Sequence, residues 1–278
     1  MSFSENLKLT LMELAQGFTA WRPQVFALAK NELGKSTKKT ALGWFWLFFQ
    51  PAVYVGCFWF ALYVGIKAAK NGLSGTDYLL WIASGVIPWW FMRTSLNNSP
   101  SLMTRYGFLV NKLKFPVALI PVFTELAYFA IHLMLLVPLI IGYFLCGGHL
   151  TIYFLQLPVL MLMMLVLFTG YSMLAGILCA YSSDLAQLLK ALTTPIFWLS
   201  GILFDVTTLS SQTVKTALMF DPVATLALGY RKVFSLTDPG WIWDDPMMFG
   251  ITLGIIAVTF VAGLLMFSKL RRDLADVL

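Results

Sequence analysis

The sequence predicts an all-α membrane protein. It has six transmembrane helices, an N-terminal interfacial helix, a short basic helix on the cytoplasmic side and a re-entrant helical hairpin on the outer side. Three observations carry this prediction. Of 278 residues, 59% are hydrophobic and only 12% charged, against about 25% charged in ordinary soluble domains. The mean hydropathy is +0.79. The charges lie between long apolar runs rather than along them. A soluble globular enzyme is excluded, because so few charges cannot cover its surface. A disordered chain is excluded by its opposite composition. The formal charge of +6 reads as a topology signal and not as a nucleic-acid footprint, because the basic residues flank the runs.

The charge-free stretches define the spans. They are Thr40 to Ile66, Tyr78 to Met92, Leu126 to Ser183, Ala191 to Phe204 and Pro246 to Ser268. A bilayer core about 30 Å thick needs roughly 20 helical residues. The Leu126–Ser183 stretch is therefore two helices, turned at Gly147-Gly148-His149. Spans are expected at 41–66, 78–99, 117–146, 151–180, 186–206 and 246–267. Segments 1–40, 100–116, 181–190 and 268–278 hold 13 Lys and Arg, whereas 67–77 and 205–245 hold five. That asymmetry places both termini in the cytoplasm. No cleavable signal peptide is expected, since the first apolar run begins near Thr40.

Three segments stand outside a plain bundle. In 1–40, Phe18, Trp21, Val25 and Leu28 recur at helical spacing beside Arg22 and Lys30, which predicts an interfacial helix over 18–39. In 100–116, two prolines bracket a short amphipathic helix. It carries Arg105, Lys112 and Lys114, with Phe108, Leu109, Leu113 and Phe115 on its apolar side, and reads as a docking element. Between the last two spans, at about 207–245, Ala217–Tyr230 is apolar but too short to cross. Its break at Asp221-Pro222 predicts a re-entrant hairpin, tolerated only where protein or water buries its backbone.

Candidate chemistry is sparse. Ala29 to Ser36 fits a loose phosphate-loop pattern, but it has one glycine and Glu32 would put a negative charge in the cradle, so ATP binding is not expected here. Cys57, Cys146 and Cys179 lie in apolar runs without metal spacing, and no metal site is expected. Arg93, Glu125 and His132 are ionisable residues within spans, where charge is costly. The favoured reading is that Arg93 snorkels to the inner interface and Glu125 pairs with a neighbouring helix. Gly250 and Gly254, and the ladder Ser172, Gly176 and Ala180, mark faces for close helix packing. Aromatic residues are more informative. Trp46, Trp89 and Trp90 belong to aromatic clusters in the first two spans that interfacial belts explain in part, and Trp59 and Trp198 lie deeper than belts require. Rings of this kind stack on sugar C–H faces, so a bundle lined by them can pass a polysaccharide.

The order and spacing of several motifs are similar to the permease subunit of type-2 ABC exporters of polysaccharides, the group of O-antigen, teichoic acid and capsule transporters. Lys30-Asn31-Glu32 leads to Leu42-Gly43-Trp44-Phe45-Trp46, with Pro51 following. Gly85-Val86-Ile87-Pro88-Trp89 lies in the second span. Leu109 to Pro116 resembles the family's coupling helix, and Asp221-Pro222 through Tyr230-Arg231 its outer element. Phe267-Ser268-Lys269-Leu270 resembles its tail.

The resemblance implies a homodimer of permeases in a bacterial cytoplasmic membrane. It also implies two separate ATPase subunits that bind ATP and Mg, so that this chain holds no cofactor and is not itself an enzyme. The substrate implied is a lipid-linked glycan. On that basis Arg105, Lys112 and Lys114 are expected at the ATPase contact. Trp46, Trp59, Trp89, Trp90 and Trp198 are expected along the substrate path. Asp221, Pro222, Tyr230 and Arg231 are expected at an outer gate. A small-molecule exporter of drugs or lipids with the same fold is the alternative.

Overall fold

The computed structural model describes residues 3–35, 42–65, 75–112, 115–204 and 210–274. Among them there are twelve α-helices and no strand. The N-terminal segment forms α1 (Phe3–Gly17) and α2 (Arg22–Lys35). The helix expected over 18–39 is α2, which begins at Arg22, and a separate helix, α1, precedes it. Pro23, fixed at a helical φ and lacking an N–H, starts the second one. The predicted apolar stripe is divided as well: Phe18 is exposed, whereas Val25 and Ala29 are buried.

Helix α3 (Phe45–Trp59) continues through a π-helical turn to Gly65. Helix α4 (Gly75–Asn98) follows. A tight turn at 99–101 leads into α5 (Leu102–Arg105) and α6 (Gly107–Lys112). The expected helix over 100–116 is therefore broken at Tyr106, whose side chain turns into the core. Helix α7 (Leu119–Leu145) and α8 (Leu157–Tyr181) are separated by the turn at Gly147-Gly148, where Gly147 adopts φ +88°. Ser182 alone separates α8 from α9 (Ser183–Leu199) and caps it through Leu185 N at 3.3 Å. Helix α9 stops several residues before the expected end of its span, at Ser200-Gly201, where Gly201 takes the left-handed φ of +66° common at helix C-termini. The chain closes with α10 (Gln212–Met219), α11 (Pro222–Phe234) and α12 (Pro246–Leu270).

Among the described residues, four segments are long and apolar enough to cross a membrane: Phe45–Gly65, Leu119–Leu145, Ile152–Tyr181 and Pro246–Leu270. Helix α4 has the length, about 36 Å, but its Asp77, Arg93, serines and asparagines dilute its apolar character. Helix α9 is one turn shorter than a typical span.

Packing is closest between α8 and α12. A Cβ at Gly263 would collide with the Gly170 carbonyl, and one at Gly170 would meet the Phe260 backbone. Gly250 and Gly254 face open space within the chain, so any close approach on that face is not made inside it. Of the ladder in α8, Gly176 admits the turn before α5, approaching Ser99 O and Met103, and Ser172 is turned to a carboxylate.

Helix α11 lies among α4, α8 and α12. Two apolar clusters result. One is built on α4, α7, α8 and α11. The other, at the end of the bundle carrying the termini, joins Val25 and Ala29 of α2 to Leu119 and Phe123 of α7 and Phe267 of α12. Arg271 ties the two terminal helices at that end, meeting Glu13 at 2.6 Å and Thr10 at 3.0 Å.

The glycine crossing gives a direct test. Gly170→Ala and Gly263→Ala are expected to destabilise the detergent-solubilised protein by roughly 1–3 kcal/mol. Gly250→Ala and Gly254→Ala should leave its melting temperature unchanged or slightly raised. Equal losses at both pairs would contradict the assigned crossing.

Candidate functional site

Helices α3, α4 and α9 leave a groove on one face of the bundle. One cavity of about 420 Å³ is lined by Trp46, Gln50, Tyr54, Trp90 and Arg93. An adjoining cavity of about 120 Å³ is lined by Trp89, Arg93, Thr193, Phe197 and Trp198, and shares Tyr54. The helical period explains the grouping. Residues 46, 50, 53, 54 and 57 recur at steps of three and four, so they form one stripe of α3. Trp90 and Arg93 do the same on α4.

The groove collects four of the five tryptophans singled out from the sequence. Trp46 and Trp198 are exposed in the protomer and Trp90 is partly so. Trp89 is 1% exposed and packs against Phe197 at 5.4 Å. Its ring is core, contrary to an open path position. Trp59 lies elsewhere. Its indole N–H donates to Gly75 O at 2.7 Å and its ring stacks on Tyr63, pinning the start of α4.

Arg93 is exposed near the end of α4. Its guanidinium lies 5.3 Å from the Trp90 ring centroid and lines the groove between α3 and α9. It makes no ion pair among the described residues. Glu125 and His132 both hydrogen-bond within the bundle. Glu125 accepts from Ser95 Oγ at 2.6 Å and from Ser172 Oγ, and Ser99 joins Ser172 at 2.6 Å. His132, at the midpoint of α7, meets Tyr230 Oη at 2.7 Å.

The Asp221-Pro222 turn is the tip of a helical hairpin formed by α10 and α11. It borders a cavity of about 390 Å³ beside Tyr171 and Thr259, near the midpoints of α8 and α12. Asp221 caps α11 through Val223 N at 2.9 Å. Tyr230 is buried against His132. Arg231 is buried too, donating to Gly201 O at 2.7 Å, Phe204 O at 3.2 Å and Ile202 O, with Trp81 stacked beneath it at 3.6 Å. The arginine thereby fixes the turn after α9 to the hairpin.

A second constellation lies at the terminal end. Glu32 of α2 contacts Lys35 at 2.7 Å and Arg105 at 3.4 Å, and accepts from Tyr106 Oη. Arg105 also donates to Tyr128 of α7 at 3.0 Å. Arg105, expected to carry partner-facing charge, is thus paired within its own chain. Lys114 lies outside the described residues, as does the side chain of Lys112. Burial alone would push the Glu32 carboxyl up. Hydrogen bonds from Lys35 and Tyr106 and the charge of Arg105 reverse this and hold it below the usual carboxylate range. Burial, and then the bond to Glu32, raise the Tyr106 phenol.

Several contributors escaped sequence reasoning. Glu32 counted as an objection to a phosphate loop and as part of the Lys30-Asn31-Glu32 motif, without a structural role, and Thr193 and Gln50 carried no motif. The Thr-Thr-Pro step at 193–195, polar within an apolar run, was the available signal.

Four apolar spans around a shared core, with an aromatic groove on one face, define a multi-pass membrane protein. The chain belongs to the ABC-2 type transporter family, whose model matches residues 23–235. It is similar to the O-antigen export system permease protein RfbA of Myxococcus xanthus, with 21% identity over 228 residues, 81% of this chain and 85% of that protein. It is also similar to the protein of the same name from Klebsiella pneumoniae, with 20% identity over 253 residues, 90% of this chain and 93% of that one.

The Glu32 corner makes a pH prediction. A carboxyl with a depressed folded pKa adds stability above its unfolded pKa and loses it as pH falls through the folded one. Wild type should therefore melt above Glu32→Gln at pH 7, and the gap should close in acid below the usual carboxylate range. A gap that does not vary with pH would remove the ionic role.

Proposed function

We propose that the chain is the transmembrane subunit of an ATP-driven exporter that moves a lipid-linked polysaccharide across the cytoplasmic membrane of a bacterium. The observation that carries this reading is the aromatic groove between α3, α4 and α9, in a chain whose curated relatives are named for O-antigen export. Rings that stack on sugar faces hold a glycan without demanding one linkage, which suits a repeating polymer that must slide.

In this reading α4 and α9 complete six spans with α3, α7, α8 and α12, and both termini face the cytoplasm. Two copies of the chain associate with their grooves toward each other. Two separate ATPase subunits bind ATP and Mg. Residues 100–116 dock on the ATPase, with Lys112 and Lys114 supplying the contact charge. Arg105 acts one step inward, passing movement to α2 and α7 through Glu32 and Tyr128. The α10–α11 hairpin closes the outer end, held by the Arg231 contacts.

One observation favours the small-molecule alternative. An apolar cleft of about 450 Å³ lies between α3, α4 and α7, bordered by Pro51, Gly56, Leu79, Leu135 and Gly142. A drug or lipid exporter would use that cleft and be indifferent to the groove.

Two measurements separate these readings. Trp46→Ala and Trp198→Ala should lower glycan export by roughly two- to tenfold at unchanged yield. Trp89→Ala should instead lower the yield itself, because removing a buried tryptophan costs about 3–5 kcal/mol. Unchanged export in both exposed variants would favour the alternative. Charge reversal at Lys112 and Lys114 should reduce co-purification with the ATPase while membrane insertion persists; full co-purification would count against the docking role.

A further inference from the structure

The cluster around Glu125 holds one more close oxygen contact than its hydroxyl protons can fill. Ser95 Oγ lies 2.6 Å from Glu125 Oε2, and Ser99 Oγ lies 2.6 Å from the Ser95 carbonyl. Ser99 Oγ is also 2.6 Å from Ser172 Oγ, and Ser172 Oγ meets Glu125 Oε1. Two oxygens approach this closely with a proton between them. Each serine hydroxyl carries one proton. Three serines therefore fill three of the four contacts.

The deficit falls at a definite place. The Ser95 proton fills the contact to Oε2. A carbonyl carries no proton, so the Ser99 proton fills the contact to Ser95 O. The Ser172 proton then fills the contact to Ser99. The contact between Ser172 and Oε1 is left over. An ionised carboxylate only accepts and cannot fill it, whereas a protonated carboxyl has one O–H to give. If Ser172 donated to Glu125 instead, Ser99 would have to donate to Ser172. The Ser99 hydroxyl and the Ser95 carbonyl would then oppose lone pairs at 2.6 Å.

The protonated arrangement is a closed circuit. Glu125 donates to Ser172, Ser172 to Ser99, and Ser99 to the Ser95 carbonyl. Ser95 returns through its hydroxyl to the second oxygen of Glu125. Hydrogen bonds that run head to tail polarise and strengthen one another. The surroundings suit a neutral acid. Glu125 is 1% exposed and lies in an apolar span, where an unpaired charge is costly. The ionisable groups around the cluster are engaged elsewhere. Tyr171 of α8 donates to Leu96 O, and Tyr128 of α7 receives Arg105, which pairs with Glu32. His132, two turns further along α7, bonds to Tyr230. No ion pair reaches Glu125 among the described residues.

We infer that Glu125 is a proton-binding site, a neutral carboxylic acid whose bound proton closes a ring of hydrogen bonds joining α4, the turn before α5, α7 and α8. The proton acts as a structural ligand. A carboxylate can only receive bonds. With the proton it also gives one, and that bond is the tie to α8. The inference goes beyond the export reading and does not depend on it, because the ring is the same whatever the protein carries.

The test is infrared difference spectroscopy of the full-length protein in nanodiscs at pH 7, with carbon-13 at the glutamate side-chain carboxyls. Subtracting Glu125→Gln from wild type should leave the C=O stretch of one hydrogen-bonded carboxylic acid, displaced by the isotope. Carboxylate bands in its place overturn the site. Ser172→Ala removes the acceptor of the carboxyl O–H and should move the same band to higher frequency. A band that stays in place overturns the ring. The Ser172→Ala difference also reveals the band should neither Glu125 variant fold. Thermal melting is a second readout. A glutamine amide donates to Ser172 and accepts from Ser95, so Glu125→Gln should melt within about 2 °C of wild type. Glu125→Leu pairs with no serine and should melt roughly 5–10 °C lower. Glu125→Gln melting as low as Glu125→Leu overturns the neutral-acid assignment.

Discussion

A polar group inside hydrocarbon has no water to turn to, and this constraint governs the arrangement of the bundle. Glu125 meets it with a cluster of serines drawn from α4, the turn before α5 and α8. His132 meets it through Tyr230, which draws α11 in against the middle of α7. Arg231 meets it through backbone carbonyls left over where α9 ends early. In each case satisfying one side chain joins elements distant in sequence. The apolar clusters supply most of the burial, but apolar contact is non-directional. Between apolar helices in lipid it also offers little preference for one partner over another. The polar pairs fix which helix faces which.

Not every buried polar atom is paired in this way: Trp89 Nε1, Thr193 Oγ1 and His132 Nδ1 lack a hydrogen-bond partner among the described residues. Helix α3 is also the least covered of the long apolar helices: 11% of its apolar stretch is buried, compared with 39% for Ile152–Tyr181. Helices α3 and α4 thus separate two environments. On one side lies an apolar cleft shared with α7, and on the other the aromatic and cationic groove shared with α9. An α-helix offers this division readily, because residues three and four apart share a face and the intervening ones oppose it.

How much of this the amino-acid order reveals depends on the range of the interaction. Apolar run length gave the long helices α3, α7, α8 and α12 closely, since crossing a bilayer sets a length that composition records. The break at Asp221-Pro222 was equally legible, because a proline at a helix start and an aspartate capping it are local chemistry. The division of the N-terminal segment and of 100–116 was not. Both breaks depend on burial of Val25 and Tyr106 against α7, which is a tertiary outcome. Glycine spacing did not reveal the helix crossing for the same reason. Gly250 and Gly254 form the recognisable pattern, yet Gly170 and Gly263 make the crossing, and no motif within either helix announces a pair split between two. Of the site, the tryptophans were visible as a type. Only the fold separates Trp46 and Trp198, which are open, from Trp89, which is packed.

The ionic corner and the serine cluster lie on successive turns of one helix. Tyr128, which receives Arg105, is three residues from Glu125, so the two stand on the same face of α7. A displacement of residues 102–106 is therefore not absorbed at the terminal end of the bundle. It acts on α2 through Glu32, on α7 through Tyr128, and within one further turn on α4 and α8 through the serines around Glu125. Helix α4 carries Arg93 on the turn before Ser95 and Ser99. The polar contacts around Glu125 consequently also connect residues 102–106 to the helix that forms one wall of the groove. Apolar packing alone could hold these helices together, but it would fix no register between them. Discrete bonds at fixed positions set that register.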